Sequence, residues 1–339
     1  MRNVKCKVLL RYLTLTGYNL ILWYSQKEYI YRQEMKTQIN PNMAKICTNR
    51  PLNGEQINEY HKKGYVIIRN FFDREEIEPI RKACEADPSI NGAQTTVNDK
   101  AGGYFKVTLW SELGDTLLGV MPRTARMIDA VETLLGGMEC YHWHSKIVRK
   151  LTNDGQLHFH QDYATWYEDG CLFPYHVTCT IAIDKSDKGN GCVKMVPGSH
   201  NLGRIHRIRI GDTKDTHCPD PFRIEKALEK LGIDYCEMEP GDAMFFHSNT
   251  LHGSDPNRSD RPRTLMHCSY NAVFNEPIIR EGQEHHLYRP LIKLPDCVIK
   301  EGKYSSIFDG HIFHEPEAEG KPGAGVFFRR VDSDVNYNN

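Results

Sequence analysis

The second half of the chain repeats one pattern, in which short runs of β-branched, aromatic and other apolar residues alternate with turn-forming sequences. These runs predict strands at residues 141–148, 177–183, 193–196, 243–246 and 264–272. The clearest turns between them are Lys188-Gly189-Asn190-Gly191, Pro197-Gly198 and Pro240-Gly241. Many short strands separated in this way are typical of a β-sandwich or a β-barrel. We therefore expect a mainly β protein with flanking helices and a double-stranded β-helix, or jelly-roll, core.

Signals for helices are concentrated in the first half of the chain. Asp73 is a typical residue before a helix, although Pro79 inside the following segment moves the predicted start nearer to Glu78. A second helix has Pro122 at its opening, apolar residues at helical spacing and a pair of glycines at its end. The predicted elements are a strand at residues 64–69 and helices at 122–135 and 223–231. The helices would cover one face of the β core.

The charge balance argues against a nucleic-acid partner. Lys and Arg total 43 and Asp and Glu total 44, so the net charge is about −1 and no basic surface is expected. Any positively charged site must therefore be local, as in a pocket for a small-molecule substrate. No repeat or long linker follows residue 50, which favours a single catalytic domain over residues 46–339. The oligomeric state stays open.

Residues 1–45 differ from the rest, because basic residues come early and the first acidic residue is Glu28. We expect an extension outside the catalytic domain or, alternatively, an organellar targeting segment. Arg11 interrupts the apolar stretch that a secretory signal peptide would need. The segment is also too polar for a membrane-spanning helix, so no stable membrane span is predicted.

The eleven cysteines are irregularly spaced, and no two of them form a CxxC pair. A structural zinc site and a thioredoxin-like motif are therefore unsupported. Several cysteines lie in apolar runs, where a free thiol behaves as a small hydrophobic group. Reduced thiols in an intracellular protein are the better interpretation, and we predict a cytoplasmic location.

Three candidate metal ligands lie in the strand-rich half. His160 and Asp162 are two residues apart, and on a strand such side chains point to the same side of the sheet. His252 follows a later apolar run and can return to the same end of a barrel. Together they would form a facial metal site with open positions opposite the three ligands. The alternative for His160 and Asp162 alone is a surface histidine hydrogen-bonded to an aspartate.

Arg263 stands directly before the last predicted strand. The planar guanidinium binds both oxygens of a carboxylate at once, so an arginine there fits a pocket for a carboxylate ligand. Burying it would be costly unless a negative charge met it. The alternative is a structural salt bridge to Asp255 or Asp260.

In this order, His160-x-Asp162, His252 and Arg263 resemble the phytanoyl-CoA dioxygenase family of iron(II)/2-oxoglutarate-dependent oxygenases. The resemblance covers roughly residues 53–274, and the last sixty residues match no family pattern. Trp166, four residues after Asp162, is similar to the ectoine and proline hydroxylase branch. The other matching motifs are Asn190-Gly191-Cys192, Pro197-Gly198-Ser199-His200, Pro240-Gly241-Asp242 and the stretch from His252 to Ser259, followed by Tyr270.

The resemblance implies a jelly-roll fold, iron(II) as the metal, and 2-oxoglutarate and O₂ as co-substrates, with release of succinate and CO₂. It implies that Arg263 and the Ser254 hydroxyl bind the far carboxylate of 2-oxoglutarate. It also places Lys146 near that co-substrate, the alternative being a surface lysine, and Trp166 in the wall of the substrate pocket, the alternative being a core residue. No catalytic residue is expected beyond the metal centre. Because Asp162 is present, chlorination is not expected.

For the substrate we expect a small, carboxylated or amino-acid-like metabolite, oxidised at a C–H bond by hydroxylation, desaturation or ring closure. Besides Trp166, this rests on a surplus of cations near the predicted mouth, for each of which a solvated surface position is the alternative. These cations are Arg149, Arg204, Arg207 and Arg209. Two other functions remain: a cupin-type metal protein without oxygenase activity, which Arg263 disfavours, and a catalytically silent scaffold.

Overall fold

The computed structural model describes residues 52–86, 95–98, 104–208, 218–278 and 284–314. The predictions for residues 1–45 and for Arg209 lie outside the described residues. No helix in the described ranges is long and apolar enough to cross a membrane. None of the cysteines with described side chains forms a disulfide.

The described residues form strands and helices in the following order along the chain. The strands are β1 (Tyr65–Ile68), β2 (Thr95–Asn98), β3 (Tyr104–Trp110), β4 (Cys140–Lys150), β5 (Leu157–His160), β6 (His176–Ala182), β7 (Val193–Met195), β8 (Arg207–Ile208), β9 (Cys218–Pro219), β10 (Asp234–Cys236), β11 (Ala243–His247), β12 (His252–Ser254) and β13 (Arg263–Ala272). The helices are α1 (Gly54–Lys63), α2 (Arg74–Ala86), α3 (Leu117–Val120), α4 (Ala125–Leu134), α5 (Asp162–Glu168) and α6 (Pro221–Leu231).

Eleven of the strands form two facing antiparallel sheets, and β8 and β9 pair separately as a two-stranded sheet. The major sheet has seven strands in the order β1-β11-β6-β13-β4-β3-β2, and the minor sheet has four in the order β10-β7-β12-β5. Apolar side chains of both sheets pack together, among them Val193 and Met195 of the minor sheet with Phe246 and Leu265 of the major sheet. Sequential strands that cross between two facing sheets make a jelly roll, so the predicted fold is confirmed.

Helices α1, α2 and α4 cover the outer face of the major sheet. Helix α4 is amphipathic, with Met127, Val131 and Leu134 on its buried side. These side chains join one core cluster with outward-facing residues of the sheet, such as Ile181 and Met266. Fully burying each such side chain contributes about 1.5–3 kcal/mol to the stability of the fold. The helical layer therefore stabilises the outer face of the major sheet.

The inner face of the major sheet is unusually polar. Side chains alternate along a strand, so Lys146, Val148 and Lys150 of β4 share the inner face. In the neighbouring strand, His267 lies opposite Lys146 and Arg263 lies opposite Lys150. All five residues line one pocket between the two sheets. The fold therefore places buried cations where an ordinary sandwich has only apolar residues.

The observed boundaries correct three of the predicted elements. Helix α2 starts at Arg74 with Pro79 inside it, so the predicted start near Glu78 is wrong. The N-terminal cap of α2 stabilises the helix start more than Pro79 destabilises it. In this cap, Glu76 accepts a hydrogen bond from the Asp73 amide at 2.9 Å, whereas Pro79 removes one helical hydrogen bond.

The other two corrections concern a helix start and a strand end. Pro122 lies in a short 3-10 turn, and helix α4 begins only at Ala125. Strand β4 was predicted to end at residue 148 but continues to Lys150.

The C-terminal segment that matched no family pattern packs on β3 and β4. The His286 ring stacks on Trp143 with centroids 3.8 Å apart. Farther along, His311 and Phe313 make edge contacts with the buried Trp110 ring. Residues 284–314 are thus part of the folded body.

Candidate metal centre and the adjoining pocket

The two candidate histidines meet because their strands are paired. His160 is the last residue of β5, His252 is the first residue of β12, and the two lie opposite each other in the antiparallel register. Their ring centroids are 4.2 Å apart. The pairing of two minor-sheet strands therefore fixes both imidazoles at one end of the barrel.

The spacing predicted His160 and Asp162 on one strand, but Asp162 does not lie on the strand of His160. It is the first residue of helix α5, because the chain turns at Gln161. The buried Gln161 side chain holds this turn by donating to the carbonyls of Gly203 and Asn249 and accepting from the Ile205 amide. The turn still brings the carboxylate to the histidines.

The three side chains converge on one point. One potential ligand atom from each of His160, Asp162 and His252 lies within 4.8 Å of the others. The Asp162 Oδ1 atom is 3.5 Å from His160 Nε2 and 3.8 Å from His252 Nε2. An ion about 2.0–2.2 Å from each of three such atoms holds them about 3–4 Å apart, so the set fits a metal.

Main-chain carbonyls orient both imidazoles. The Nδ1 of His160 is 2.9 Å from the His158 carbonyl, and the Nδ1 of His252 is 2.9 Å from the Thr250 carbonyl. A carbonyl accepts only, so each Nδ1 carries the proton and donates it. Each Nε2 is then left with its lone pair toward Asp162, which is the tautomer that a metal ligand requires.

Electrostatics keep Asp162 and His252 in the states that bind a cation. Burial alone would raise the pKa of the Asp162 carboxyl, but His252, His160 and Lys146 outweigh it and hold that pKa well below its usual range. Burial, and then His160, lower the pKa of His252 to about 4. At neutral pH the site therefore offers a carboxylate and a neutral His252 imidazole.

A pocket leads from His252 to Arg263. Arg263 is the first residue of β13, is 2% exposed, and its Nε has no hydrogen-bond partner. Among the described residues no carboxylate pairs with it, so the alternative of a salt bridge to Asp255 or Asp260 is wrong; Asp255 pairs instead with Lys194. The remaining lining residues are Phe105, Lys146, Val148, Lys150, Leu157, Val193, Phe246, Gly253, Ser254 and His267.

Two other predicted residues lie in the same pocket. Ser254 is buried at the end of β12, near Arg263. Lys146 is also buried, so the alternative of a surface lysine is wrong, and burial lowers its pKa to about 8, against the opposing effect of Asp162.

Trp166 is not among the residues that line this pocket. It is buried on α5 in an aromatic cluster, with its ring 6.0 Å from Trp143 and 4.5 Å from His176. Its place in the substrate pocket thus stays a prediction. His200 is part of a short turn, where its Nε2 is 3.1 Å from the His61 carbonyl.

The predicted group of cations at the mouth is not confirmed as a group. Arg149 points to the opposite face of the sheet and donates to the Cys84 carbonyl of α2. Arg204 does lie beside α5, with its guanidinium 4.2 Å from the Tyr167 ring centroid. The side chain of Arg207 lies outside the described part of the structure.

Sequence reasoning missed Lys150 and His267. Lys150 fell beyond the predicted end of β4, although continued alternation from Lys146 would have placed it on the inner face. His267 is a single histidine within a strand, and its Nδ1 is 2.8 Å from the Thr180 hydroxyl. Only the pairing of Lys146 with His267 brings that ring into the pocket, and no local signal marks it.

Gly253 is required for the close approach of β12 to β5. A Cβ at this position would lie 2.7 Å from the Leu157 carbonyl oxygen, a main-chain atom that cannot move aside alone. We expect Gly253→Ala to lower the free energy of unfolding by about 1–3 kcal/mol and to weaken metal binding, because β12 carries His252. Thermal denaturation and bound-metal content measure the two effects. Gly54→Ala, where a Cβ meets nothing within 4 Å, is the control and should change neither.

The family assignment rests on a match to most of the catalytic region. A model of the family described as phytanoyl-CoA dioxygenase matches residues 60–265, more than half of the chain. The chain belongs to the phytanoyl-CoA dioxygenase family. The matched range includes His160, Asp162, His252 and Arg263. The predicted enzyme class, an iron(II)- and 2-oxoglutarate-dependent dioxygenase, is confirmed, and so are iron(II) and 2-oxoglutarate as its cofactors. The alternative of a cupin-type protein without oxygenase activity is therefore not adopted.

Individual relatives are distant. An ectoine dioxygenase of Bordetella parapertussis is 25% identical over 239 residues, covering 66% of this chain and 77% of that protein. A methylphosphonate hydroxylase of Gimesia maris is 27% identical over 241 residues, covering 66% and 83%. The structure of EctD from S. alaskensis with 2-oxoglutarate and 5-hydroxyectoine has a TM-score of 0.60 at 22% identity, covering 74% of this chain and 89% of that one. At that identity the structural likeness shows the fold.

Proposed function

We propose that His160, Asp162 and His252 hold iron(II) and that Arg263 and Ser254 bind the far carboxylate of 2-oxoglutarate. The observation that carries this proposal is the buried guanidinium of Arg263, which lies in the same pocket as His252 and has no carboxylate partner among the described residues. A buried cation is costly unless an anion meets it. An elongated dianion that reaches from the metal to Arg263 would supply that charge.

The bound iron and co-substrate supply the oxidising chemistry, which removes hydrogen from a substrate C–H bond. The chain's own residues position the reactants. His160 and His252 are fixed by main-chain carbonyls and need not move a proton, so we assign neither as a general base. Burial of the pocket between the two sheets excludes water from the far carboxylate and strengthens its attraction to Arg263.

For the substrate we propose a small carboxylated or amino-acid-like metabolite, oxidised by hydroxylation, desaturation or ring closure. Two features support this class. The Trp166 likeness points to the ectoine and proline hydroxylase branch, and Arg204 lies beside α5, which begins with Asp162. Two of the relatives are named as an ectoine dioxygenase and a methylphosphonate hydroxylase, and both names refer to small molecules. We also propose that residues 1–45 are an extension outside the catalytic domain of a cytoplasmic enzyme.

The test is anaerobic addition of iron(II) and then 2-oxoglutarate to the purified protein. We expect the weak visible charge-transfer band of the metal–keto acid chelate, followed by succinate formation when oxygen is admitted. Small amino acids and cyclic amino acids should then be screened for stimulation of succinate release. A protein that binds iron but gives neither the band nor succinate would contradict the proposed co-substrate site.

A further inference from the structure

A group of buried rings lies one helical turn beyond the metal centre, outside the pocket that leads to Arg263. Asp162 and Trp166 are four residues apart on α5, so their side chains lie on the same face of the helix. The centroid of the Trp166 ring is 4.5 Å from that of His176 and 5.8 Å from that of His144. Helix α5 therefore connects these rings directly to the candidate metal ligand Asp162.

A β-bulge directs two consecutive side chains of β4 into this group. The register between β4 and β13 shifts at Ser269 and Tyr270, and Trp143 is the extra residue on β4. Consecutive side chains of a regular strand point to opposite faces, yet the rings of Trp143 and His144 both contact Trp166. Bulges are common beside active sites, where they redirect a side chain. This bulge adds an indole to the inner face of the major sheet.

The C-terminal segment supplies one more ring. His286 is buried and stacks on Trp143, with an interplanar angle of 12°. The Tyr141 hydroxyl holds this part of the chain by donating to the His286 carbonyl at 2.9 Å. The family match ends at residue 265, so His286 lies beyond it. We use the name ring cluster for Trp143, His144, Trp166, His176 and His286.

Four polar atoms of the ring cluster have no hydrogen-bond partner among the described residues. They are Nε1 of Trp143, Nε2 of His144 and both ring nitrogens of His176. Each of these side chains is more than nine-tenths buried. Buried polar groups are hydrogen-bonded as a rule, because leaving one unpaired is costly. Four such atoms in one cluster indicate a ligand that completes their hydrogen bonds.

The imidazoles of the ring cluster are uncharged at neutral pH. Burial lowers the pKa values of His144, His176 and His286 well below the usual value. A neutral imidazole has one N–H donor and one acceptor nitrogen, whereas an indole has a donor only. His176 therefore offers a donor and an acceptor, and the Trp143 N–H is a second donor.

We propose that the ring cluster binds the primary substrate, and that His176 selects it by donating through one ring nitrogen and accepting through the other. The ligand class that fits is a small, ring-shaped amino acid. Its ring packs on the indoles, its carboxylate accepts from Trp143 and His176, and its amino group donates to the second nitrogen of His176. A cation without a carboxylate leaves both N–H donors unpaired. The inference rests on the proposed function, because it takes Asp162 as a ligand of the iron.

The test measures binding without turnover, on the protein loaded with iron(II) and 2-oxoglutarate in the absence of oxygen. The probes are L-proline, L-pipecolate and ectoine, with choline as a cation that has no carboxylate. Tryptophan fluorescence reports binding, because two of the four tryptophans belong to the ring cluster. We expect at least one ring-shaped probe to change the fluorescence in a saturable way and choline to have no effect. Saturation by choline alone, or by none of the probes, would overturn the proposed ligand class.

His176→Phe keeps an aromatic ring but removes both nitrogens. It should weaken binding of the saturating probe about tenfold to a hundredfold, since two buried hydrogen bonds are lost, and should leave the visible band of the chelate unchanged. His286→Ala should weaken the same probe, because Trp143 loses the ring that holds it. His311→Phe is the matched control: this imidazole of the same C-terminal segment contacts Trp110 instead, so probe affinity should be unchanged.

The chelate band separates this inference from the proposed function. If the parent gives no band, the proposed function fails and the inference fails with it. A normal band together with parent-like probe affinity in His176→Phe overturns the inference alone. Equal weakening by His311→Phe and His286→Ala would show that the C-terminal segment has no specific part in the site. Should His176→Phe fail to fold, His176→Asn, which keeps a donor and an acceptor, must bind the probe more tightly than His176→Ala; equal affinities would overturn the role of His176.

Discussion

Replacing His252 with alanine is expected to abolish succinate formation and to leave a folded protein that no longer retains iron. Removing even a group that only orients a ligand typically weakens metal binding about 10–100-fold. Losing one of three ligands should exceed that range. His252 is buried, but its ring contacts only part of the core, chiefly Phe246 at 4.8 Å between centroids, so the fold should survive. Iron content after dialysis, circular dichroism and succinate release provide the three measurements.

The matched control for His252 is His200, another histidine of the strand-rich part of the chain. The ring of His200 contacts the His61 carbonyl and lies 5.6 Å from the His247 ring, so it takes no part in the proposed centre. We expect His200→Ala to retain iron and activity. Stoichiometric iron with normal turnover in His252→Ala would show that the third ligand is a different residue.

The fold was predictable because local signals agree with it. Each main strand of the second half carries enough β-branched and apolar residues to be recognised, and the glycine and proline turns divide them correctly. The errors occur where two signals compete. At α2, the hydrogen bond between Asp73 and Glu76 favours a helix start at Arg74 more than Pro79 disfavours it. The buried ion pair of Glu76 with Arg126 stabilises the same helix start. Such tertiary support cannot be read from the sequence of the helix.

The convergence of the three candidate ligands was predictable from the sequence, but the reason given for the spacing of His160 and Asp162 was only partly right. His160 is on a strand and Asp162 is on a helix, and the turn between them depends on three hydrogen bonds of Gln161 to distant residues. A two-residue spacing is compatible with both arrangements. What the sequence conveys is that the side chains can meet.

The polar wall of the pocket was harder to predict, because it depends on register. Lys146 was found through the family pattern, whereas Lys150 lies just beyond the predicted end of the same strand. Charged residues at a strand end usually indicate solvent. Here the pairing of β4 with β13 places Lys150 opposite Arg263 and buries both. A run of alternating cations along an otherwise apolar strand is the signal that would have identified this wall.

Stability and function should therefore oppose each other at Arg263. Its guanidinium is buried without an ion pair from the described residues, next to Lys150. Replacing such a group with an apolar side chain is often neutral or stabilising, because no partner is left unpaired. We expect Arg263→Met to unfold at the same or a higher temperature than the parent, although it binds 2-oxoglutarate poorly. If Arg263 had only a structural role, Arg263→Met would unfold at a lower temperature than the parent and would bind 2-oxoglutarate as the parent does.

The conservative change at Arg263 provides the sharper kinetic prediction. If the guanidinium binds the far carboxylate through two parallel hydrogen bonds, Arg263→Lys should raise the KM for 2-oxoglutarate about tenfold to a hundredfold. The reason is that an ammonium cannot make both bonds, and each charge-assisted bond contributes about 1.5–3 kcal/mol. Iron affinity should be unchanged, since Arg263 is not a ligand. Steady-state succinate release against 2-oxoglutarate concentration, together with iron titration, measures both quantities.

Arg261→Lys is the matched control for this prediction. Arg261 is exposed two residues earlier and donates to the Asp187 carboxylate at 2.7 Å, outside the pocket. Exposed ion pairs contribute little, about 0–1 kcal/mol, so that variant should keep the parent KM and nearly the parent stability. An unchanged KM in both variants would remove the main support for a 2-oxoglutarate site at Arg263 and leave the metal centre as the only part of the proposal. A raised KM in Arg263→Lys alone would assign the far carboxylate to this side chain, because charge is preserved and only the geometry of the donors differs.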